Sequence, residues 1–276
     1  MLRAIMEYQF MQYAIIASAL AAVVSGVIGV IIVEKKLIMM TGGIAHTSYG
    51  GVGLGYLLGF EPILGAFIFS IMAALGIGFI NNKVTGIKDV VTAIFWSLGM
   101  SLGILFIGLI PGYPPDVTSY LFGNILSVTT FNLILILVIT LIVTSVIFMF
   151  YHDWQSHLFD PEFAKIRGKR TKFMENILLI LIALTVVSLI RVVGIILVIA
   201  LLSIPAATAS LLTRKLHHRM ILAVLFGLLF MWVGIIISYF TELSSGAVIV
   251  IFAFIVYILV WLVQKSMTEN KKILKK

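Results

Sequence analysis

The 276-residue chain contains no cysteine. This absence excludes disulfides, cysteine-ligated zinc, iron–sulfur clusters and thiol catalysis. Charged residues make up only 11% of the chain, whereas soluble domains contain about one quarter. Hydrophobic residues reach 62%, against about one half in soluble domains, so the composition excludes a cytosolic globular protein and indicates a protein embedded in a membrane.

Several motifs of membrane enzymes and pumps are also missing. All eleven acidic residues lie in loops or at the ends of apolar runs, so no carboxylate stands in mid-membrane to bind and release a proton or cation. There is no His-Glu-x-x-His pair for a metalloprotease and no Gly-x-x-x-x-Gly-Lys-Ser/Thr loop for nucleotide binding. The chain is therefore not expected to be an enzyme, and another subunit must supply ATP if transport uses it.

Long apolar runs dominate what is present. Because a membrane-spanning helix needs roughly 20 mainly apolar residues, the sequence predicts an all-α, polytopic bundle, with residues 1–276 as a single transmembrane domain. About nine spans are predicted, at 10–33, 37–60, 62–80, 90–110, 131–151, 174–190, 192–212, 219–239 and 246–264. The run from Ile177 to Leu212 is too long for one crossing, so we expect it to fold back where Arg191 is followed by Gly194.

Basic residues set the predicted orientation. With nine spans and a cytoplasmic C-terminus, 17 of the 19 Lys and Arg residues fall on the inner side and only Arg3 and Arg191 on the outer side. The N-terminus is then outside the cell. This orientation accounts for the net charge of +8, so we expect a multi-pass protein of the cell membrane, in contact with lipid and without a nucleic-acid partner.

One histidine lies well inside a predicted span. His46 stands in the second span, where a neutral imidazole is a suitable ligand for zinc, manganese or iron. Alternatively, the ring is hydrogen-bonded across a helix interface to a Ser or Thr hydroxyl. The residue alone leaves both interpretations open.

Glycines recur at helical spacing in two spans. Gly51, Gly55 and Gly59 share one face of the second span, and Gly99 and Gly103 do the same in the fourth. Such faces let a neighbouring backbone approach closely, so we predict that these five glycines pack helices together and that the second span is central.

Pro205 lies near the inner end of a predicted span. Because proline removes a backbone donor, the Ala-rich segment after it is expected either to form a short separate helix at the cytoplasmic surface or to follow a simple kink.

Five segments together resemble the membrane permease of ATP-binding-cassette importers for metal ions. They are Glu34-Lys-Lys-Leu with Gly-Gly-Ile-Ala-His46 and Gly-Val-Gly-Leu-Gly55, Ser119-Tyr-Leu-Phe-Gly-Asn-Ile-Leu126, Phe159-Asp-Pro-Glu-Phe-Ala164, residues 193–209 around Pro-Ala-Ala-Thr-Ala, and Ser244-Ser-Gly-Ala-Val248. They occur in the order found in that family and extend from about Glu34 to Leu262.

The resemblance implies a non-catalytic translocation subunit for divalent metal ions, with zinc or manganese favoured and iron also in range. It implies a homodimer around the path, two cytoplasmic ATPase subunits below and an external metal-binding protein above. No permanently bound cofactor is implied, because the metal is the cargo. We place His46, Thr47 and Gly50 on the substrate pathway. Coupling to the ATPase maps onto one segment near the inner surface, namely Pro205, Ala206, Ala207, Thr208, Arg214 and Lys215.

One position departs from the family pattern. Many members carry an aspartate one helical turn before the pathway histidine, and here that position is Gly42. Three outcomes are open: a weaker transient site made by His46 and its dimer mate, a ligand from a different helix, or a different cargo. The alternatives to a metal-ion permease are a permease for metal chelates and a self-sufficient secondary carrier or channel.

Overall fold

The computed structural model describes residues 7–84, 86–112, 123, 125–159 and 171–273, and all regular structure in these ranges is helical. The predicted all-α fold is therefore confirmed for this part of the chain. Its helices are α1 Gln9–Glu34, α2 Ile38–Leu58, α3 Pro62–Asn81, α4 Lys88–Gly108, α5 Thr130–Met149, α6 Tyr151–Phe159, α7 Thr171–Leu212, α8 Leu216–Thr241 and α9 Ser245–Ile273. A short 3₁₀ turn, Ile125–Ser127, precedes α5.

Seven of the described helices are long and apolar enough to cross a membrane, against the nine spans that the sequence predicts. The difference has two causes. The predicted span 37–60 forms α2, which has the length of a span but is diluted by glycine and falls outside the seven. The predicted spans 174–190 and 192–212 belong to the single helical element α7.

Gly194 interrupts α7 with φ 79° and ψ 163°, a conformation that glycine adopts without strain. The kink divides α7 into two arms. In the first arm, Leu179 lies against Gly78 near the end of α3, whereas the Arg191 guanidinium is 3.8 Å from the Glu61 carboxylate beside the start of α3. The first arm therefore runs antiparallel to α3.

The second arm of α7 returns toward the side from which the first arm came. Leu202 contacts Gly29 near the end of α1, and the ends of α1 and α3 lie on the same side because α2 runs between them. Gly123 packs against the backbone of Val193 and Gly194 at the bend. The predicted reversal near Arg191 is thus found as a kink at Gly194.

Pro205 does not end the helix. The second arm continues through Pro205 to Leu212, so the predicted separate Ala-rich helix is wrong for this structure. A single proline removes one backbone hydrogen bond, and neighbouring helices can support the chain at such a position. Pro205 itself is buried within the bundle.

The centre of the bundle is formed by α1 and α7, which have the largest buried share of the membrane-length helices in the described ranges. α1 contacts α8 closely, since a Cβ added at Gly26 would lie 2.6 Å from the backbone nitrogen of Val224. α9 lies at the periphery, since only 17% of its most apolar stretch is buried. α2 packs mainly against α3 and α4 and also contacts α7, and most of its residues are buried. The central place predicted for the second span stays a prediction.

Candidate functional site

The helix that carries His46 is packed by backbone contact on two sides. A Cβ added at Gly51 would overlap the carbonyl of Gly65 on α3. A Cβ added at Gly53 would lie 2.7 Å from the carbonyl oxygen of Gly103 on α4. At both positions an added Cβ would come closer than atoms in contact allow. The backbones therefore touch, and α2 is fixed in a layer with α3 and α4.

The other glycines singled out in the sequence fall into two groups. Three of them lie in the same layer: Gly55 lies against Pro62, Gly99 against Thr47 and Gly103 against Tyr49. Gly59 does not. It follows the last residue of α2 with φ 74°, and nothing lies within 4 Å of the place that its Cβ would take. The predicted packing role is therefore wrong for Gly59, which caps the helix in a left-handed conformation.

His46 is partly exposed and stacks on an aromatic ring from α4. The imidazole and the Trp96 indole have centroids 4.0 Å apart and planes inclined by 12°. The His46 Nδ1 atom is buried, and no hydrogen-bond partner lies near it among the described residues. At this nitrogen the structure therefore does not show the hydrogen bond to a Ser or Thr hydroxyl that was the alternative interpretation.

Trp96 also covers the position where many family members carry an acidic residue. A Cβ added at Gly42 would lie 3.4 Å from Cζ3 of Trp96 and 3.6 Å from Cδ1 of Ile199 on the second arm of α7. Gly42, His46 and Trp96 thus form one cluster. No local pattern singles out Trp96, because a tryptophan in an apolar span is ordinary.

Thr47 and Gly50, the two other predicted pathway residues, lie within the contact between α2 and its neighbours. The Thr47 hydroxyl oxygen is 2.7 Å from the carbonyl oxygen of Gly43 and 2.9 Å from that of Phe95, so it connects α2 to α4. A Cβ at Gly50 would lie 3.0 Å from the carbonyl oxygen of Gly99. Both residues are buried in the described chain, and of the three only His46 keeps an exposed part.

No cluster for a resident metal is found around His46 in the described part of the chain. Within the described ranges, no group of three or more His, Asp, Glu or Cys side chains is placed to hold a metal ion. In one described copy the His46 imidazole therefore belongs to no such group, which fits a weak, transient site better than a resident one.

The structure divides the residues predicted to couple to an ATPase. Pro205, Ala206 and Thr208 are buried within the bundle, so their side chains are not available to a soluble partner in this conformation. Arg214 and Lys215 are exposed in the short link between α7 and α8. Ala207 is partly exposed. Direct contact is thus feasible at the link, whereas Pro205, Ala206 and Thr208 can act only through the packing of α7.

The fold by itself defines the class of protein. Its long apolar helices make the chain a multi-pass membrane protein, as predicted. Residues 7–264 match the model of the ABC 3 transport family, and the chain belongs to that family. The family resemblance inferred from the five sequence segments is confirmed.

Relatives named for metal transport match almost the whole chain. The manganese transport system membrane protein MntC of Listeria monocytogenes is 38% identical over 261 residues, covering 95% of this chain and 93% of that protein. A protein of Haemophilus influenzae named "Probable iron transport system membrane protein" is 31% identical over 89% of this chain and 90% of its own length.

Among solved structures, PsaBC from Streptococcus pneumoniae in complex with Fab has a similar fold. The matched chain has a TM-score of 0.85 and 28% identity, with 94% of both chains covered. The similarity therefore extends over the whole helical bundle.

Parts of two sequence segments that support the resemblance lie outside the described residues. They are most of the stretch 119–126, together with residues 160–164.

Proposed function

We propose that this chain is the translocation subunit of an ATP-driven importer for a divalent metal ion. The observation that carries the proposal is the cluster in which Trp96 of α4 covers His46 and Gly42 of α2, the helix that glycine contacts hold in place. Membership of the ABC 3 transport family supports it, as do relatives named for manganese and iron transport. The candidate cargoes are manganese, iron and zinc.

His46 supplies a nitrogen ligand that binds the metal briefly during passage. A divalent ion needs more than one ligand, and a lone imidazole with water completing the shell gives weak binding. Weak binding suits a conducting step, because an ion held too tightly is not released. Tight selection then belongs to the external metal-binding protein.

The functional unit is a homodimer whose two α2 helices face a common path. In this arrangement the second copy contributes its own His46, which doubles the number of nitrogen ligands. The partial exposure of His46 in one described copy supports this arrangement, since an imidazole that faced only its own bundle would be enclosed. Trp96 stacks on the ring and holds its orientation toward the path.

The chain crosses the membrane nine times, with its N-terminus outside and its C-terminus in the cytoplasm. The seven membrane-length helices become nine crossings when α2 is added and the arms of α7 are counted separately. Contacts between residues predicted to lie on the same side support this topology. Tyr13 and Thr130 meet at the outer side, with hydroxyl oxygens 3.2 Å apart, and Lys35 contacts His157 at the inner side.

The energy for transport comes from partner chains. The chain is a non-catalytic subunit without a permanent cofactor, and two cytoplasmic ATPases bind below it, with Arg214 and Lys215 in the contact. A permease for metal chelates would have the same partners, whereas a self-sufficient carrier or channel would need none.

Reconstitution separates these functions. Proteoliposomes that contain this chain, its ATPase and the external binding protein should accumulate manganese, iron or zinc only with ATP, and an ATPase variant that binds but does not hydrolyse ATP should abolish uptake. Uptake by this chain alone would identify a carrier or channel. Uptake of a chelate but not of the free ions would identify a chelate permease.

A further inference from the structure

Arg219, in the first turns of α8, contacts two separate elements at the inner end of the bundle. Its Nε donates a hydrogen bond of 2.8 Å to the carbonyl oxygen of Thr213, and its Nη1 donates to the carboxylate of Glu34. The Arg219 and Glu34 side chains are only 13% and 26% exposed. The ion pair is therefore partly shielded from water and is worth more than a surface pair.

The two groups held by Arg219 belong to different parts of the chain. Thr213 begins the three-residue link between α7 and α8, which exposes Arg214 and Lys215. Glu34 is the last residue of α1, a largely buried helix that packs against both α7 and α8. The guanidinium is suited to this bridge, since its planar fork presents several donors at fixed angles.

The end of α1 also holds another segment of the inner face. Lys35, the residue after Glu34, donates a 2.9 Å hydrogen bond to the carbonyl oxygen of His157 on α6. Burial lowers the pKa of Lys35, and nearby Glu175 opposes this shift. Two adjacent residues therefore attach α1 to α6 and to the α7–α8 link.

We propose that Arg219 is a positioning residue for energy coupling: it fastens the backbone of the α7–α8 link to α1 through Thr213 and Glu34. A force that the ATPase applies at Arg214 and Lys215 then moves α1, α7 and α8 together. Without the bridge, the link bends and the force is lost. This inference rests on the proposed function, because it assigns the link as the place where an ATPase acts.

The bridge predicts uncoupling rather than loss of the complex. In reconstituted complexes, Arg219→Gln should retain ATPase binding and ATP hydrolysis but lower the metal transported per ATP by about fivefold or more. Glu34→Gln should lower the same ratio less, and the double variant should be no worse than Arg219→Gln, since Glu34 acts through Arg219. Arg219→Lys should give an intermediate ratio, because one ammonium cannot replace the fork.

Lys36→Gln is the matched control. It removes an exposed cation two residues after Glu34 and leaves both partners of the bridge unchanged. It should keep the wild-type ratio. A wild-type ratio in Arg219→Gln or in Arg219→Lys would overturn the proposal. A fall in transport that is fully explained by a smaller amount of folded complex would also overturn the proposal.

A measurement on this chain alone separates the bridge from the proposed function. Because the chain has no cysteine, a spin label can be attached at a single Arg214→Cys site. Electron paramagnetic resonance should show restricted label motion in the parent and faster motion after Arg219→Gln, with no change after Lys36→Gln. Equal motion in all three would refute the bridge even if the complex transports metal. Faster motion in a chain whose complex transports no metal would leave the bridge intact and refute the proposed function.

Discussion

Between α2 and its neighbours α3 and α4, contact is made by backbone and small side chains, as at Gly51 with Gly65 and at Gly53 with Gly103. At the C-terminal end of α1, contact with α8 includes charged side chains, as in the ion pair of Glu34 and Arg219. At Gly51 and Gly53 the first region has no space for an added atom. The second depends on a few polar groups whose partners can be changed one at a time.

This difference indicates a division of labour. The glycine layer fixes the height and rotation of α2 and thereby the place of His46 in the membrane. On the proposed function, the charged end of α1 would transmit force, since ion pairs between elements can be broken and remade with small movements. Substitutions in the first region should therefore act through folding, and substitutions in the second through coupling.

The largest effect is expected from one added methyl group in the glycine layer. Gly51→Ala would place a Cβ on the Gly65 carbonyl, and such overpacking typically costs about 1–3 kcal/mol or more. The yield of monodisperse protein and its thermal unfolding midpoint should both fall. Gly108→Ala is the matched control, because nothing lies within 4 Å of its Cβ position. Equal stability of the two variants would contradict the described packing of α2.

A smaller effect, confined to assembly, is expected at the exposed link. Arg214→Glu combined with Lys215→Glu should weaken ATPase binding by about tenfold or more without changing the stability of this chain. Lys36→Glu combined with Lys88→Glu, two exposed positions outside the link, changes the net charge by the same amount and serves as the control. Copurification with quantitative affinity measurement tests this, and a full complex with the double variant would remove the link from the interface.

An acidic residue introduced at position 42 tests whether the His46 cluster binds metal. Gly42→Asp adds a carboxylate one turn before the imidazole, so the proposed homodimer should bind manganese roughly tenfold more tightly, equivalent to about 1.4 kcal/mol. Gly42→Asn keeps the shape and omits the charge, and it therefore controls for crowding against Trp96. Isothermal titration should separate the two variants. Identical affinities would mean that metal does not come to this cluster.

The smallest effect concerns pH at the inner face. Burial, with a smaller contribution from Lys35, lowers the pKa of His157 on α6 from its ordinary 6.5 to about 4. Between these values the unfolded chain binds a proton that the folded chain does not, so stability falls as pH decreases through this window. His157→Gln should reduce the fall in unfolding temperature between about pH 7 and pH 4. The exposed His152→Gln should leave the fall unchanged, and the same pH dependence in both variants would contradict this assignment.

The sequence predicted the helical class and the family because both depend on local patterns. Apolar runs of span length, the clustering of Lys and Arg, and short motifs such as Gly-Gly-Ile-Ala-His46 are visible without a structure. The reversal in the long run 177–212 was predicted from its length and lies within a few residues of the expected place.

What the sequence could not predict depends on contacts between distant segments. Trp96 is 50 positions away from His46. Nothing in the local sequence distinguishes Gly59, which caps α2, from the glycines that pack helices together, or shows that the Thr47 hydroxyl reaches α4. The local rule for proline left open whether Pro205 starts a separate helix or only kinks the span, and in the structure packing keeps the helix continuous through Pro205. The bridge at Arg219 joins residues 185 positions apart and leaves no local pattern.

The most direct test of the central claim, that metal passes His46, is uptake by the reconstituted complex with and without the imidazole. His46→Ala should lower ATP-driven metal uptake by about tenfold or more while complex assembly and ATPase binding stay at wild-type levels. His152→Ala, on the exposed face of α6, controls for loss of a histidine elsewhere. Wild-type uptake by His46→Ala would contradict the account and would leave His46 with a packing role against Trp96.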